Sequence, residues 1–171
     1  MVPRRSLLIG GFLLVGLLLV GSVFAVGTPE PTVTLENQDN ETHYVTVYTA
    51  SDEDLAGYVN FEVTTDDGDR KHVTYSDLIW PGDYENVTLV DDEIETQTFV
   101  VEPGETVDGT VTSWSKGDVT VYIAERGPNR EHASSQIVTC GTRGQTHSFT
   151  LQELGGGGTT TCGGGYSWIF R

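Results

Sequence analysis

Three residues in this chain have the types needed to hold a soft metal: His43, Cys140 and His147. Two imidazoles and one thiolate make the trigonal ligand set of a copper electron-transfer centre, usually completed by a weak thioether. The set is incomplete here. Met1 is the only methionine, and Cys140 has a competing partner in Cys162. An even number of cysteines outside the cytoplasm reads first as a disulfide. His43 and His147 are therefore expected as ordinary exposed strand residues, and no metal site is expected. His72 and His132 show no ligand spacing.

The carboxylates are numerous but unfocused. Asp66, Asp67 and Asp69, and the run Asp91, Asp92 and Glu93, could offer oxygens to calcium, yet neither fits a twelve-residue calcium loop. Solvated turns are the expectation for both. No Gly-x-Ser-x-Gly, zinc-helix or phosphate-loop pattern occurs. Carboxylates are too plentiful for one pair to stand out as a glycosidase dyad. The reading is non-enzymatic, with no cofactor.

The elements around these residues read as strands. Thr32 to Glu36 alternates with Val33 and Leu35 on one face. His43 to Thr49 places Val45 and Val47 on one face and Tyr44, Thr46 and Tyr48 on the other. Tyr58 to Thr65 carries Val59, Phe61 and Val63 inward. In Val119 to Glu125, Val119, Val121 and Ile123 alternate with Thr120, Tyr122 and Ala124. β-Branched and aromatic residues at period two mark half-buried pleated surface. Further strands are expected at Lys71–Ser76, Glu85–Val90, Thr96–Val101, Val107–Trp114, Ser135–Cys140 and Thr146–Leu151.

Asn37 to Asn40, Asp66-Asp67-Gly68-Asp69, Pro81-Gly82 and Glu102-Pro103-Gly104-Glu105 supply turns. Ser51 to Gly57 reads as an acidic loop and Arg126 to Glu131 as the most basic one. No amphipathic helix of useful length is visible. Turns every 8–12 residues between short strands indicate a β-sandwich.

Ahead of the strands, Leu7 to Val26 runs without a charge, preceded by Arg4 and Arg5. About 20 helical residues span roughly 30 Å, the thickness of a bilayer's hydrocarbon core. The arginines favour the cytoplasmic side, which puts the rest of the chain outside. A cleaved signal peptide has the same parts, with Val23 and Ala25 as small residues before a cut. A retained anchor and a cleaved signal thus both stand, and both export the domain. The domain plan is residues 1–26 anchor or signal, 27–31 a Pro-stiffened spacer, 32–152 the sandwich, and 153–171 a Gly-rich tail.

All 25 acidic residues lie beyond Val26, against seven of the nine basic ones, giving the exported part a net charge of −18. Nucleic acid is excluded as a partner class, because phosphate neutralisation needs a basic surface. At about 1 M salt the Debye length is about 3 Å, so such self-repulsion is screened away. Asn40-Glu41-Thr42 and Asn86-Val87-Thr88 are N-glycosylation acceptors, at Asn40 and Asn86. Cys140 and Cys162 are expected to close a bridge that pins the tail. Glycine as dense as Gly155 to Gly158 is too costly in entropy to order unaided.

The acidic excess, scarce lysine, abundant threonine and Arg-pair leader together resemble exported proteins of halophilic archaea. Arg4-Arg5-Ser6-Leu7-Leu8 also looks like a twin-arginine export signal, although Pro3 is not the usual residue before it. Val101-Glu102-Pro103-Gly104-Glu105-Thr106 resembles the strand edge of immunoglobulin-like and cupredoxin-like modules in such proteins. The resemblance implies an all-β, immunoglobulin-like sandwich of about 8–10 strands after one N-terminal transmembrane or signal helix. The function it implies is a non-catalytic structural or binding role at the cell surface, single-pass with the C-terminal domain extracellular, or secreted if the leader is cleaved. Its partners are the lipid bilayer through Leu7 to Val26 and a surface protein or glycan. The alternative is a cupredoxin-like copper carrier: Asn37 through His43 then resembles the early ligand strand, and Cys140 and His147 resemble the late loop.

Overall fold

The computed structural model describes residues 30–163, apart from 92, 143 and 154. The expected leader helix and the end of the C-terminal tail, with Tyr166, Trp168, Ile169 and Phe170, lie outside the described residues. Within them the fold is all-β and two-sheeted, with eleven strands rather than 8–10. In chain order they are β1 Thr32–Asn37, β2 His43–Ala50, β3 Asn60–Thr65, β4 Arg70–Thr74, β5 Tyr84–Leu89 and β6 Thr96–Val101. After these come β7 Thr106–Thr110, β8 Val119–Arg126, β9 Glu131–Val138, β10 Thr146–Leu151 and β11 Gly156–Thr161. The smaller sheet has the order β11-β10-β1-β7 and the larger β4-β3-β5-β9-β8-β2-β6. β1 runs parallel to β10, and the other pairings are antiparallel.

Two cores flank the larger sheet. Val33 and Leu35 of β1 and Phe149 and Leu151 of β10 meet Val45 and Val47 of β2 and Tyr122 and Ala124 of β8. This is the sandwich interior, and the alternation of β1 and β2 points into it. The second core lies on the opposite face of β8 and β2. There Tyr48, Val121 and Ile123 pack against Phe61 and Val63 of β3, Val73 of β4 and Val87 of β5. Tyr48 and Phe61 sit with ring centroids 6.0 Å apart, although three strands separate β2 from β3 in the sheet order. The larger sheet therefore curls over itself. β8 is buried on both faces, which is why Val119 to Ala124 carries so little charge.

The acidic segment expected as a loop contains a short helix, α1, Glu53–Tyr58. Asp52 caps it by accepting the Leu55 N–H at 2.7 Å, and Glu53 and Asp54 occupy the first turn. Both features favour a helix N-terminus, but six residues are too few to display a helical period. Tyr75–Leu78 forms a 3-10 turn that buries Leu78, and Ile79 and Trp80 follow it exposed. The strand expected from Val107 to Trp114 stops at Thr110.

The glycine-rich stretch also differs from expectation. Gly156 to Thr161 pairs along its whole length with β10. A Cβ on Gly158 would meet the Phe149 ring at 2.4 Å, and one on Gly156 would meet the Thr150 carbonyl oxygen at 2.4 Å. Glycine is what lets this strand approach β10 so closely. Cys140 and Cys162 are joined, with Cα atoms 5.8 Å apart, and fasten the end of β11.

Candidate functional site

The most unusual chemistry among the described residues lies where β5 leaves its neighbour. β5 pairs with β9 only at Glu85 and Glu131, then diverges. The Val87 N–H takes a side chain instead, donating to Glu125 Oε1 at 2.7 Å. Glu125 shares a strand face with Val121 and Ile123, and its side chain is fully buried. Its other oxygen accepts from Arg130 Nε at 3.1 Å and Nη2 at 2.6 Å. The guanidinium lies over the Tyr44 ring, 4.8 Å from the centroid, within the range of a cation–π contact. Burial pushes the Glu125 carboxyl up, and the Arg130 charge and the Val87 N–H oppose this without reversing it.

The backbone here is also unusual. Among the described residues, Asn86 (φ 52°) and Arg130 (φ 54°) are the non-glycine positions with positive φ. They are joined by Asn86 N–H donating to the Arg130 carbonyl at 3.0 Å. Asn tolerates that region, but Arg there costs about 1 kcal/mol or more. Such positions persist only where the surroundings over-determine them. A ladder irregularity between Ala124 and Glu125 completes the local distortion.

The divergence opens a cleft of about 320 Å³. Its floor is Thr46 of β2 with Thr96 and Thr98 of β6. Its wall is Val87, Thr88 and Leu89 of β5 with Ile94, and Arg130 and Asp91 also line it. Arg130 covers Tyr44, whereas Thr96 pairs with Tyr48. That offset is four strand residues, roughly 13 Å. Thr46 and Thr98 hydroxyls lie 3.4 Å apart. Asp91 Oδ2 accepts the Asn60 N–H at 3.1 Å, which leaves Oδ1 for other donors. Beyond Asp91 and Ile94 a second hollow of about 330 Å³ is lined by Leu55, Tyr58, Val59 and Glu93.

The residues singled out for copper are not brought together. Cys140 is in the disulfide. His147 lies beside Tyr122, which pairs with Val47. His43 is four residues along β2 from Val47, roughly 13 Å. No group of three His, Cys, Asp or Glu among the described residues is placed to hold a metal. Nor are His43 and His147 exposed, as expected: both are fully buried.

Each has its own polar partners. His43 Nε2–H donates to Asp39 at 3.1 Å, and Arg126 donates to the same oxygen at 3.1 Å. Burial lowers His43, with Asp39 opposing. Burial would raise Asp39, but the Asn40 N–H, His43 and Arg126 outweigh it and hold Asp39 low. Tyr122 O–H donates to His147 Nδ1 at 2.5 Å, and His147 Nε2–H donates to Gln145 at 2.9 Å. Gln145 in turn donates to the Cys140 and Thr142 carbonyls. This chain fixes the neutral tautomer.

Burial drives His147 down from 6.5 to about 4. A folded-state value below the unfolded one means the unfolded chain binds the proton first, so stability falls as pH drops from 6.5 toward about 4. The expected result in a ring-proton NMR titration is a neutral His147 throughout that window. A His147 midpoint near 6.5 would refute its place in the core.

Asn40 is exposed at the turn before β2, and Asn86 is exposed beside the cleft. Arg4 and Arg5 lie outside the described residues. The cleft itself escapes a reading by motif. One signal was present: Glu125 is in phase with Val121 and Ile123, so its carboxylate had to be buried, and the basic loop nearby supplied a cation, Arg130, to pair with it.

A family model described as "Halobacterial Ig domain protein" matches residues 1–171. The chain belongs to this family. The halobacterial Ig assignment agrees with the acidic, lysine-poor composition and with the two-sheet architecture. A search of the curated proteins finds no match. Among solved structures, the T6SS lipoprotein TssJ1 from Pseudomonas aeruginosa is similar over 81% of this chain and 100% of that one, at 13% identity and a TM-score of 0.45. A likeness that distant carries no argument for the halobacterial Ig chain.

Proposed function

We propose that this halobacterial Ig domain protein is a non-catalytic module anchored in the cell membrane, its sandwich facing outward in a structural or binding role. The observation that carries the reading is the uncharged run Leu7 to Val26 behind Arg4 and Arg5, placed directly before an immunoglobulin-like sandwich. A disulfide between Cys140 and Cys162 suits an oxidising exterior, and the net charge of −16 for the whole chain suits a salt-bathed surface. Exposed Asn40 and Asn86 are the proposed glycan acceptors. The copper alternative loses its thiolate to the disulfide, and fold alone licenses no enzymatic claim.

Two measurements test this reading. The mature protein is expected to stay with membranes through a high-salt wash and to be cleaved by protease added to intact cells. An N-terminus beginning at Val26 would overturn the anchor and leave a secreted domain. Protection from external protease in intact cells would overturn export altogether.

A further inference from the structure

We propose that the cleft between β5 and the β2–β6 pair is a binding site for a neutral saccharide, with the adjoining Tyr58 hollow taking the next sugar unit. This names the partner class within the outward-facing binding role. The argument begins with the floor. The Thr46 and Thr98 hydroxyls lie 3.4 Å apart there, Thr96 lines the same floor, and a hydroxyl both donates and accepts. That matches a ligand whose own hydroxyls do both. Charged ligands are served less well. Arg130 is already neutralised by Glu125, so a carboxylate or phosphate finds little net positive charge in a chain of −16.

Arg130 and Asp91 still have orienting capacity. Both Arg130 bonds to Glu125 come from Nε and Nη2, which leaves Nη1 to donate. Asp91 keeps an acceptor oxygen. Opposite the hydroxyl floor, Val87, Leu89 and Ile94 give an apolar wall suited to the C–H face of a ring. The volume of about 320 Å³ lies in the usual range for a small-molecule site. Arg130, which lines the cleft, is left-handed and holds left-handed Asn86 by a backbone bond, and stored backbone strain concentrates at ligand clamps. The second hollow shares Asp91 and Ile94 with the first and carries Tyr58, 76% exposed. Leu55 beside it is 51% exposed, and an open apolar patch of this kind marks a ligand groove, here one whose ring can stack against a second sugar.

The test uses the full-length chain in detergent at about 1 M KCl, where the Debye length is about 3 Å. The probes are the methyl glycosides of glucose, mannose and galactose, the matching trisaccharides, and methyl glucuronide. At least one neutral series is expected to shift the amides of Thr46, Thr88 and Thr98 and to saturate. Its trisaccharide should bind more tightly than its monosaccharide. Thr98→Val should weaken both about tenfold. Tyr58→Ala should weaken the trisaccharide alone.

A sugar already attached at Asn86 would compete for the cleft. Tighter probe binding after removal of N-linked glycan from the unmutated chain assigns the natural ligand to that glycan, and unchanged binding assigns it to a separate molecule. The proposal fails if no neutral probe moves the cleft amides, if Thr98→Val binds as the parent does, or if the glucuronide binds best. These outcomes are independent of cell topology, which protease shaving measures separately.

Discussion

Replacing Cys162 by Ser is expected to release β11 from the sandwich and to cost about 3 kcal/mol in the chain-entropy picture of a loop this size. The cysteines stand 22 positions apart. Cys162 is exposed, so its substitution removes the bridge without cutting into the core. β11 has little else to hold it. All six of its residues are exposed, so it is held by ladder bonds worth about 1 kcal/mol each. Ordering each residue costs a comparable 1–2 kcal/mol, with glycine the most expensive.

The consequence should be local. Amide protection is expected to vanish over Gly156 to Thr161 and to survive in β1. Phe149, which lies beneath Gly158, should gain solvent access. Hydrogen exchange and urea unfolding check both points. A variant with the parent's midpoint and protected β11 amides would show that the ladder alone suffices.

Strand phase was the most legible part of this chain. Val33 and Leu35, Val45 and Val47, and Phe61 and Val63 point where their alternation places them. At the two histidines residue type misleads and phase does not. His43 is in step with Val45 and Val47, and His147 with Phe149 and Leu151. Both therefore had to be buried, and once buried they needed polar partners nearby, which Asp39, Tyr122 and Gln145 provide. The cleft was illegible for a different reason. It depends on which strands are neighbours in space, and on β5 parting from β9 after one pair of residues. No local pattern in Tyr84 to Leu89 records that divergence. α1 stayed hidden because six residues show a cap but no period.

Arg130→Ala should be the most damaging single change at the cleft. Truncation strands the Glu125 carboxylate, which is fully buried. Removing one partner of a buried pair typically costs 3–5 kcal/mol. Arg130 is itself 38% exposed, so water will reach part of the vacated space and a loss of about 3 kcal/mol is expected.

The loss should depend on pH, with a definite sign. Burial already holds the Glu125 carboxyl above its ordinary value, against the pull of Arg130. Without that pull it rises further. The folded state then binds the proton more readily than the unfolded one, so stability falls as pH rises through the folded value and recovers as pH drops back below it. The deficit should be largest near neutrality and shrink in mild acid. Adding Glu125→Gln should restore most of it, because the amide oxygen can still accept the Val87 N–H while the stranded charge is gone. Urea unfolding of parent, single and double variants across neutral and mildly acidic pH decides the matter. A small, pH-independent deficit that the second substitution leaves unchanged would mean that Arg130 acts only through its contact with Tyr44, and that the carboxylate is hydrated after all.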